Sequence, residues 1–358
     1  MKKIFSMLLV GVLIATTLTG CGQKPGTSSA PSTSDAQKET KQEVKPEEKK
    51  ETASKGKQVE IVFAIHTQPN TNEVKSAEMF KKLVEERSNG QITVKLFPGA
   101  ALGGEKDNME QLKVGEIQMS IFGDILTSQL APEYDPTVIP FIYPNLEEVY
   151  KTWNGPLGDK IKKALIDRGG VQLVALQKRG ARNLTANKKI EKPEDLKGLK
   201  LRVPEIPTWV TVWKGLGTLP TPIAWAEVYS ALQTKVVDAQ ENPYENILSA
   251  KLYEVQKYTI KTEHLYNVFH WVVGKKWFDG LSPDQQKIIL TAADEATKWG
   301  DQEKEKLDKE LEQKLKDAGN EIVEVDKKLF RQAALPAIKE LSKNWAPGVW
   351  DEVKGFLE

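Results

Sequence analysis

Two arginines on neighbouring blocks of the chain carry the clearest chemical signal in this sequence. Arg202 closes the stretch "LKLRVP", residues 199–204, where Leu199, Leu201 and Val203 alternate with Lys200 and Arg202. A period of two marks a half-buried strand, and Pro204 stops its ladder straight after the arginine. Arg182 lies just upstream in "RGARNLTAN", and "TPIAWAEVYSALQTKVVDAQENP" follows. A planar guanidinium grips a carboxylate through two parallel charge-assisted hydrogen bonds, which lysine cannot reproduce, and it never gives up its charge. A buried ligand carboxylate needs such a fixed cation to offset its desolvation. The bland alternative is an ion pair at the surface or between lobes, for Arg202 with Glu205 or Glu227.

Catalytic signals are thin. The sequence has no G-x-S-x-G, H-E-x-x-H, P-loop or G-x-G-x-x-G motif. "GLG" at 215–217 reads as a helix stop. The three histidines, His66, His264 and His270, lack metal-ligand spacing, and His264 and His270 read as ordinary half-buried residues. No metal, cofactor or enzymatic activity is expected. Basic residues are balanced by acidic ones, 51 against 50, so a nucleic-acid partner is not expected either.

The elements that must position the arginines follow from periodicity. "VEIVFAI" (59–65) reads as a strand, and "NEVKSAEMFKKLVEERSNG" as an amphipathic helix with Ala77, Phe80, Leu83 and Val84 on one face. "QITVKLFP", "GEKDNMEQLKVG" and "IQMSIFG" extend this to β-α-β-α-β, the order of a parallel sheet covered by helices. A second unit follows a helix near "LGDKIKKALIDRGG": "VQLVALQKRGARNLTA" reads as a strand running into a loop, then "LKLRVP", a helix from "AWAEVYSALQ", and a returning strand in "HLYNVFHWVVG". A very long helix starts at Ser282 (N-cap) and Pro283 and stops at Gly319. "NEIVEV" is a late strand, and Pro336 should bend the terminal helix. Two α/β units with later segments crossing back imply an α/β fold of two lobes around a ligand cleft.

The 358 residues are not uniform. Residues 1–20 begin with Lys2 and Lys3 and continue apolar, the pattern of a signal peptide and too short for a membrane span. They end "LTGC", a lipobox in which Cys21, the single cysteine, would be lipidated and become the mature N-terminus. The other reading is an ordinary leader with an incidental cysteine. Residues 21–57 are rich in Ser, Thr, Pro, Lys and Glu and cannot bury a core, so they read as a disordered tether.

The blocks "DLKGLKLRVP", "PTPIAWAEVYSALQT" and "VVDAQENP", with "LFPGAALGGEKDNMEQLKVG" nearer the start, resemble the solute-binding proteins of tripartite ATP-independent periplasmic (TRAP) transporters, the DctP family. The resemblance spans nearly everything after residue 57. It implies a periplasmic-binding-protein-like fold, with a long helix spanning both lobes, that closes on an organic acid. Residues 58–179 would open lobe I, 180–267 lobe II, 268–307 return to lobe I with the long helix, and 308–358 pack on lobe II. By position, Arg202 would hold the ligand carboxylate, with Arg182, Asn242, Trp225, His66 and Glu105 as further contacts. For Trp225 core packing remains the alternative, and for Asn242 turn or cap chemistry before Pro243.

Relatives that bind sialic acid carry glutamate where this chain has Gly123, and many have phenylalanine at the position of Trp225. Both differences favour a small acid, a four-carbon dicarboxylate first, over a monocarboxylate, sugar acid or sialic acid. The resemblance further implies a monomeric, extracytoplasmic receptor held at the membrane through its N-terminal lipid (a palmitate-type anchor) and docking on TRAP permease subunits; an organic-acid sensor is the competing role.

Overall fold

The computed structural model describes residues 58–357; the leader, Cys21 and the tether lie outside them. The chain begins β1 (Val59–Ile65), α1 (Asn72–Arg87), β2 (Ile92–Phe97), α2 (Glu105–Val114) and β3 (Met119–Phe122). β1 lies between β2 and β3 and pairs parallel with both, as the alternating order requires. Three helices, α3 (Ile125–Leu130), α4 (Leu146–Asn154) and α5 (Pro156–Gly169), lead to β4 (Val171–Ala186). A second parallel set follows, with β5 (Lys200–Val203), α6 (Pro207–Gly215), β6 (Leu219–Pro222), α7 (Val228–Gln233) and β7 (Ala239–Asn242). The rest is α8 (Tyr244–Ser249), β8 (Tyr258–Gly274), α9 (Lys275–Asp279), α10 (Pro283–Asp317), β9 (Glu321–Glu324), α11 (Lys327–Ser342) and α12 (Val349–Val353).

Among the described residues all strands join one sheet, in the order β2-β1-β3-β8-β4-β7-β5-β6, with β9 against β8. Each half of the sheet is parallel within itself. The halves meet through β4 and β8, which pair antiparallel and run 16 and 17 residues. At 3.3–3.4 Å per residue such strands reach roughly 55 Å, so each belongs to both halves. This is the α/β, two-lobed architecture, built on one shared pair of strands.

β4 departs from the sequence reading. Residues 171–186, read as a strand running into a loop, are strand throughout and contain a bulge: Lys178 faces Val268 and Gly180 faces Asn267, which leaves Arg179 as the extra residue. Gly180 has φ +100°, a conformation side chains rarely adopt. The terminal helix α11 runs through Pro336.

α10 begins with the expected cap. The Ser282 hydroxyl accepts from Gln285 N, and the Gln285 side chain accepts from Ser282 N. Its buried residues step along one face: Ile289, Ala292, Ala293, Ala296, Gly300, Lys304, Leu311 and Leu315. The first four pack with Phe63, Phe80 and Trp271 of the first half, whereas Leu311 and Leu315 pack with Val228, Leu232 and Ile247 of the second. One helix therefore contributes to the cores of both lobes.

The small residues on α10 admit α1 closely. Gln177 donates to Ser76 Oγ (2.8 Å) and accepts from Trp271 Nε1 (3.0 Å), and Asn72 Nδ2 donates to the Gly300 carbonyl (2.8 Å). A methyl group at position 300 would meet Ser76 Oγ at 2.2 Å and Gln177 Nε2 at 2.3 Å. Gly300→Ala gains about 1 kcal/mol of helix propensity. It forces apart a buried network, at about 1–3 kcal/mol for overpacking and about 1–3 more for the stranded polar groups. Urea unfolding is expected to show a net loss of stability; a variant as stable as the parent would mean that α1 and α10 adjust freely.

Candidate functional site

The C-terminal ends of the parallel strands point into the cleft between the lobes. β1 delivers His66, β3 delivers Gly123 and Asp124, β5 carries Arg202, and β7 ends in Glu241 and Asn242. α2 begins at Glu105, so its carboxylate sits at a helix N-terminus. An inner chamber of about 20 Å³ is bounded by His66, Glu105, Asp124, Arg179, Arg182, Arg202, Trp225 and Asn242, among others. It adjoins an outer cleft of about 320 Å³, and His66, Glu105, Ile125, Arg202, Pro204 and Trp225 line both. The structure thus gathers all six residues expected from the sequence around one chamber. A larger concavity, about 1090 Å³, lies at the opposite end of β1 around Val59, Val114 and Trp277, and no arginine lines it.

Arg202 is buried, 3% exposed, although its strand read as half-solvated; its face of β5 looks into the chamber. Its Nε and Nη2 donate to the carbonyl of Ile223 (2.9 and 2.6 Å), which leaves Nη1 without an acceptor among the described residues. Neither Glu205 nor Glu227 pairs with it: Glu205 instead binds Lys106 at 2.7 Å across the cleft mouth. Among the described residues no carboxylate oxygen lies within ion-pair distance of Arg202. Burial pulls its pKa down to about 10, with the nearby Arg182 and Arg179 charges adding to the effect and Glu241 opposing it. The group remains cationic at neutral pH.

Arg182 sits in a different environment. Its Nε and Nη2 fork onto the two oxygens of Glu241 (2.6 and 2.8 Å), and Nη2 also reaches the Glu241 carbonyl (2.8 Å). The guanidinium lies 4.9 Å over the ring of Trp209. His264 Nε2 is 3.0 Å from Glu241 Oε2, and its Nδ1 is 2.8 Å from the Thr262 hydroxyl. Burial depresses the His264 pKa, so Nε2–H donates to the carboxylate and Nδ1 accepts from Thr262. Burial alone would raise the Glu241 pKa, but the Arg182 charge and the hydrogen bonds from His264 and Arg182 hold it at about 2. Reciprocally, Glu241 outweighs the cost of burying Arg182 and raises its pKa. This is a satisfied ion pair, in which only Nη1 of Arg182 lacks a partner among the described residues.

The acceptors stand opposite. His66 Nδ1 donates to the Ile121 carbonyl (3.2 Å), and burial lowers its pKa, so its Nε2 is an acceptor, 3.7 Å from Glu105 Oε2. Glu105 Oε1 accepts from Gly123 N at 2.7 Å. Asn242 makes no cap to α8; its Nδ2 donates to Gln240 Oε1 (2.6 Å). Trp225, half-buried in a short helical turn, both packs on the second lobe's core and borders the chamber. His270 is more deeply buried than its sequence context suggested and lies beneath the site: its Nδ1 donates to the Gly123 carbonyl (3.2 Å), and burial lowers its pKa to about 4. Glu241, Asp124 and Arg179 were not singled out from the sequence. "QENP" contained Glu241 in plain view, but nothing local indicates that its partner is 59 residues upstream.

The model of bacterial extracellular solute-binding protein family 7, DctP, matches residues 63–344. The 2,3-diketo-L-gulonate-binding periplasmic protein YiaO of Escherichia coli is 33% identical over 302 residues, covering 83% of this chain and 90% of that protein. A TRAP periplasmic solute-binding protein of Roseobacter denitrificans, solved with bound L-galactonate, superposes with a TM-score of 0.79 at 31% identity, covering 84% of this chain and 99% of that one. A Pseudomonas putida relative with bound D-glucuronate gives 0.77 at 28% identity, covering 82% and 96%. Among the described residues no helix is long and apolar enough to cross a membrane. The chain belongs to the DctP family of extracellular solute-binding proteins, receptors and not enzymes, which capture organic acids outside the cytoplasm and work with a TRAP membrane permease.

Proposed function

We propose that this receptor captures a small monocarboxylic sugar acid, with Arg202 as the carboxylate anchor. The observation that carries the reading is a buried guanidinium with no carboxylate partner and an unengaged Nη1 facing the chamber. Ion pairing supports a single acid group. Around the chamber Arg182 is matched by Glu241 and Arg179 by Asp124 at 3.5 Å, and among the described residues Arg202 is the arginine there with no carboxylate within ion-pair distance; Glu105, a further carboxylate of the wall, disfavours a second acid group. Glu105, His66 Nε2 and the Asn242 amide suit hydroxyl groups. A four-carbon dicarboxylate, the ligand favoured by the sequence, would have to set its second carboxylate against Glu105 or Asp124. The relatives with bound L-galactonate and D-glucuronate agree with the sugar-acid reading.

The remainder of the role rests on the family and on the leader. The closed receptor delivers its acid to the permease as a monomer, and a lipid on Cys21 with the tether at 21–57 keeps it at the outer face of the membrane. The lobe boundaries belong to the same reading: lobe I from 58 to 179, lobe II from 180 to 267, a return to lobe I at 268–307 and a last part on lobe II, with β4, β8 and α10 crossing between them.

Calorimetric titration of the purified full chain is expected to give saturable binding of L-galactonate or D-glucuronate and weaker or no binding of succinate and malate. Arg202→Ala should reduce affinity for every acid by about 10- to 100-fold, the worth of a charge-assisted hydrogen bond or more, with the fold intact. Tighter binding of succinate would return the ligand to the dicarboxylates, and undiminished affinity in the variant would remove Arg202 from the site. Glu241→Gln should cost about 3–5 kcal/mol of stability, because it strands a buried arginine. The Glu241 pKa is held below its ordinary value, so the pair's stability is fully present above about pH 4.5 and is lost as pH falls toward 2. Melting curves against pH should show that this acid limb is missing in the variant. Cys21→Ser in the full chain should move the protein from the membrane to the soluble fraction; continued membrane retention would exclude the lipid as its anchor.

A further inference from the structure

Arg179 is the bulged residue of β4, and the bulge decides where it points. In an unbroken strand residues 179 and 182 would lie on opposite faces, being an odd number apart. The extra residue between Lys178 and Gly180 shifts the parity, and both arginines border the same inner chamber. The guanidinium of Arg179 is 8% exposed and donates no hydrogen bond to any described residue. Its Nε is fully buried and unpartnered. Its nearest anion, Asp124 Oδ2, lies 3.5 Å from Nη1 and is already the acceptor for Asn267 Nδ2 at 2.7 Å. Phe269 stacks against the guanidinium at 4.6 Å and fixes its plane.

The contrast with Arg182 is informative. In the Arg182–Glu241 pair each member strengthens the other's charge. At Arg179 and Asp124 burial wins on both sides, lowering the arginine's pKa and raising the carboxyl's. Asp124 therefore offsets part of the Arg179 charge without occupying its donors. Guanidinium donors buried beside a chamber with no protein acceptor are placed for an acceptor that arrives from outside.

Gly123 is the matching constraint. A Cβ there would come within 2.3 Å of Arg179 Nη1, which would have to move, while Glu105 Oε1 at 3.5 Å would be in ordinary contact. The position is empty of side chain because Arg179 fills it.

We propose that Arg179 is a second ligand-anchoring residue, donating together with Arg202 to the carboxylate of the bound acid, and that Gly123 is the clearance it requires. The assignment rests on the reading of the cleft as a sugar-acid receptor. It adds Arg179 to the carboxylate contacts and leaves Arg182, whose Nε and Nη2 are held by Glu241, only its Nη1 to offer the ligand.

The test is calorimetry on the full chain with lactate, D-erythronate and L-galactonate, carboxylates of increasing length, with melting temperatures measured in parallel. Arg179→Met is expected to lower affinity by a similar factor, about 10- to 100-fold, for each acid that the parent binds. Arg179→Lys should recover only part of the loss, because it restores charge without the planar fork. Gly123→Ala alters no charge and should also weaken binding, by displacing Nη1; it decides the matter if Arg179→Met fails to fold. Affinity within twofold of the parent in folded Arg179→Met, or in Gly123→Ala, overturns the assignment. A loss confined to the longer acids overturns it too, by moving Arg179 to a distal hydroxyl. If Arg202→Ala abolishes binding while Arg179→Met does not, the receptor reading stands and only this inference falls. A folded parent that binds neither these three acids nor D-glucuronate overturns both.

Discussion

A guanidinium cannot shed its charge, so burying three of them around one chamber sets the terms for everything nearby. Burial and mutual repulsion weaken Arg179 and Arg202, and only Arg182 receives a full counterion. The cost of stranding a cation in low dielectric is several kcal/mol unless its donors and charge are met. The chain meets Arg182 with Glu241, secures Glu241 in turn with His264, and holds His264 from its other side with Thr262. That closed set of polar groups gives the chamber a rigid floor at fixed charge. The partly met cations above it are held still by backbone and aromatic contacts: Ile223's carbonyl for Arg202, and Phe269's ring for Arg179. Recognition of an acid is then a matter of supplying what the fold withholds.

Rigidity of this kind depends on the shared strands. β4 and β8 supply Arg179, Arg182 and His264 where their register is most irregular, between residues 178–184 and 260–268. The bulge at Arg179 turns one guanidinium toward the chamber, and Gly180, in its positive-φ conformation, leaves room on the other side for Lys304 of α10, whose Cε would lie 3.2 Å from a Cβ there. Lys304 is itself buried and holds Asp308 (2.7 Å) and Glu245 (3.3 Å). Glu245, on α8, also accepts from the first backbone N–H of α1 at 2.6 Å. The spanning helix, the bulge and both lobes therefore converge on one polar cluster behind the site.

Sequence alone exposed what depends on local order. β1 matched residue for residue, and α1, α2 and the capped start of α10 follow from periodicity and caps that need no distant partner. Arg202 stood out because a charged residue before a strand-stopping proline is odd in itself. What stayed hidden is non-local. Arg179 sits at the wrong parity for its neighbour until the bulge is known, and bulges leave no mark except a glycine that also reads as a loop. Glu241 and His264 read as ordinary residues because their meaning lies in a pairing made by the antiparallel β4–β7 and β4–β8 register. Gly123 was legible as a departure from sialic acid receptors, but its cause, the Arg179 guanidinium, was not.

On the proposed assignment, binding and closing fall to different parts of the ligand. Arg202 belongs to the second lobe and Arg179 to the shared strand, so a carboxylate held between them gains nearly the same free energy whether the lobes are apart or together. A ligand with equal affinity for two states shifts nothing, however tightly it binds. Closure must be driven by groups reached only when the first lobe arrives, and those are His66 and the Glu105 carboxylate, which face the chamber from β1 and α2. Moving a population from 1:99 to 99:1 takes about 5.5 kcal/mol. A hydrogen bond to the charged Glu105 contributes about 1.5–3 kcal/mol and one to the neutral His66 Nε2 about 0.5–1.5, so hydroxyl contacts to both supply a large part of that difference. A bare carboxylate without hydroxyls has the first set of contacts and lacks the second. The acid group therefore sets how tightly a ligand is captured, and the hydroxyls set whether the receptor closes on it, which is the form a permease must recognise if it is to take up one acid and ignore another.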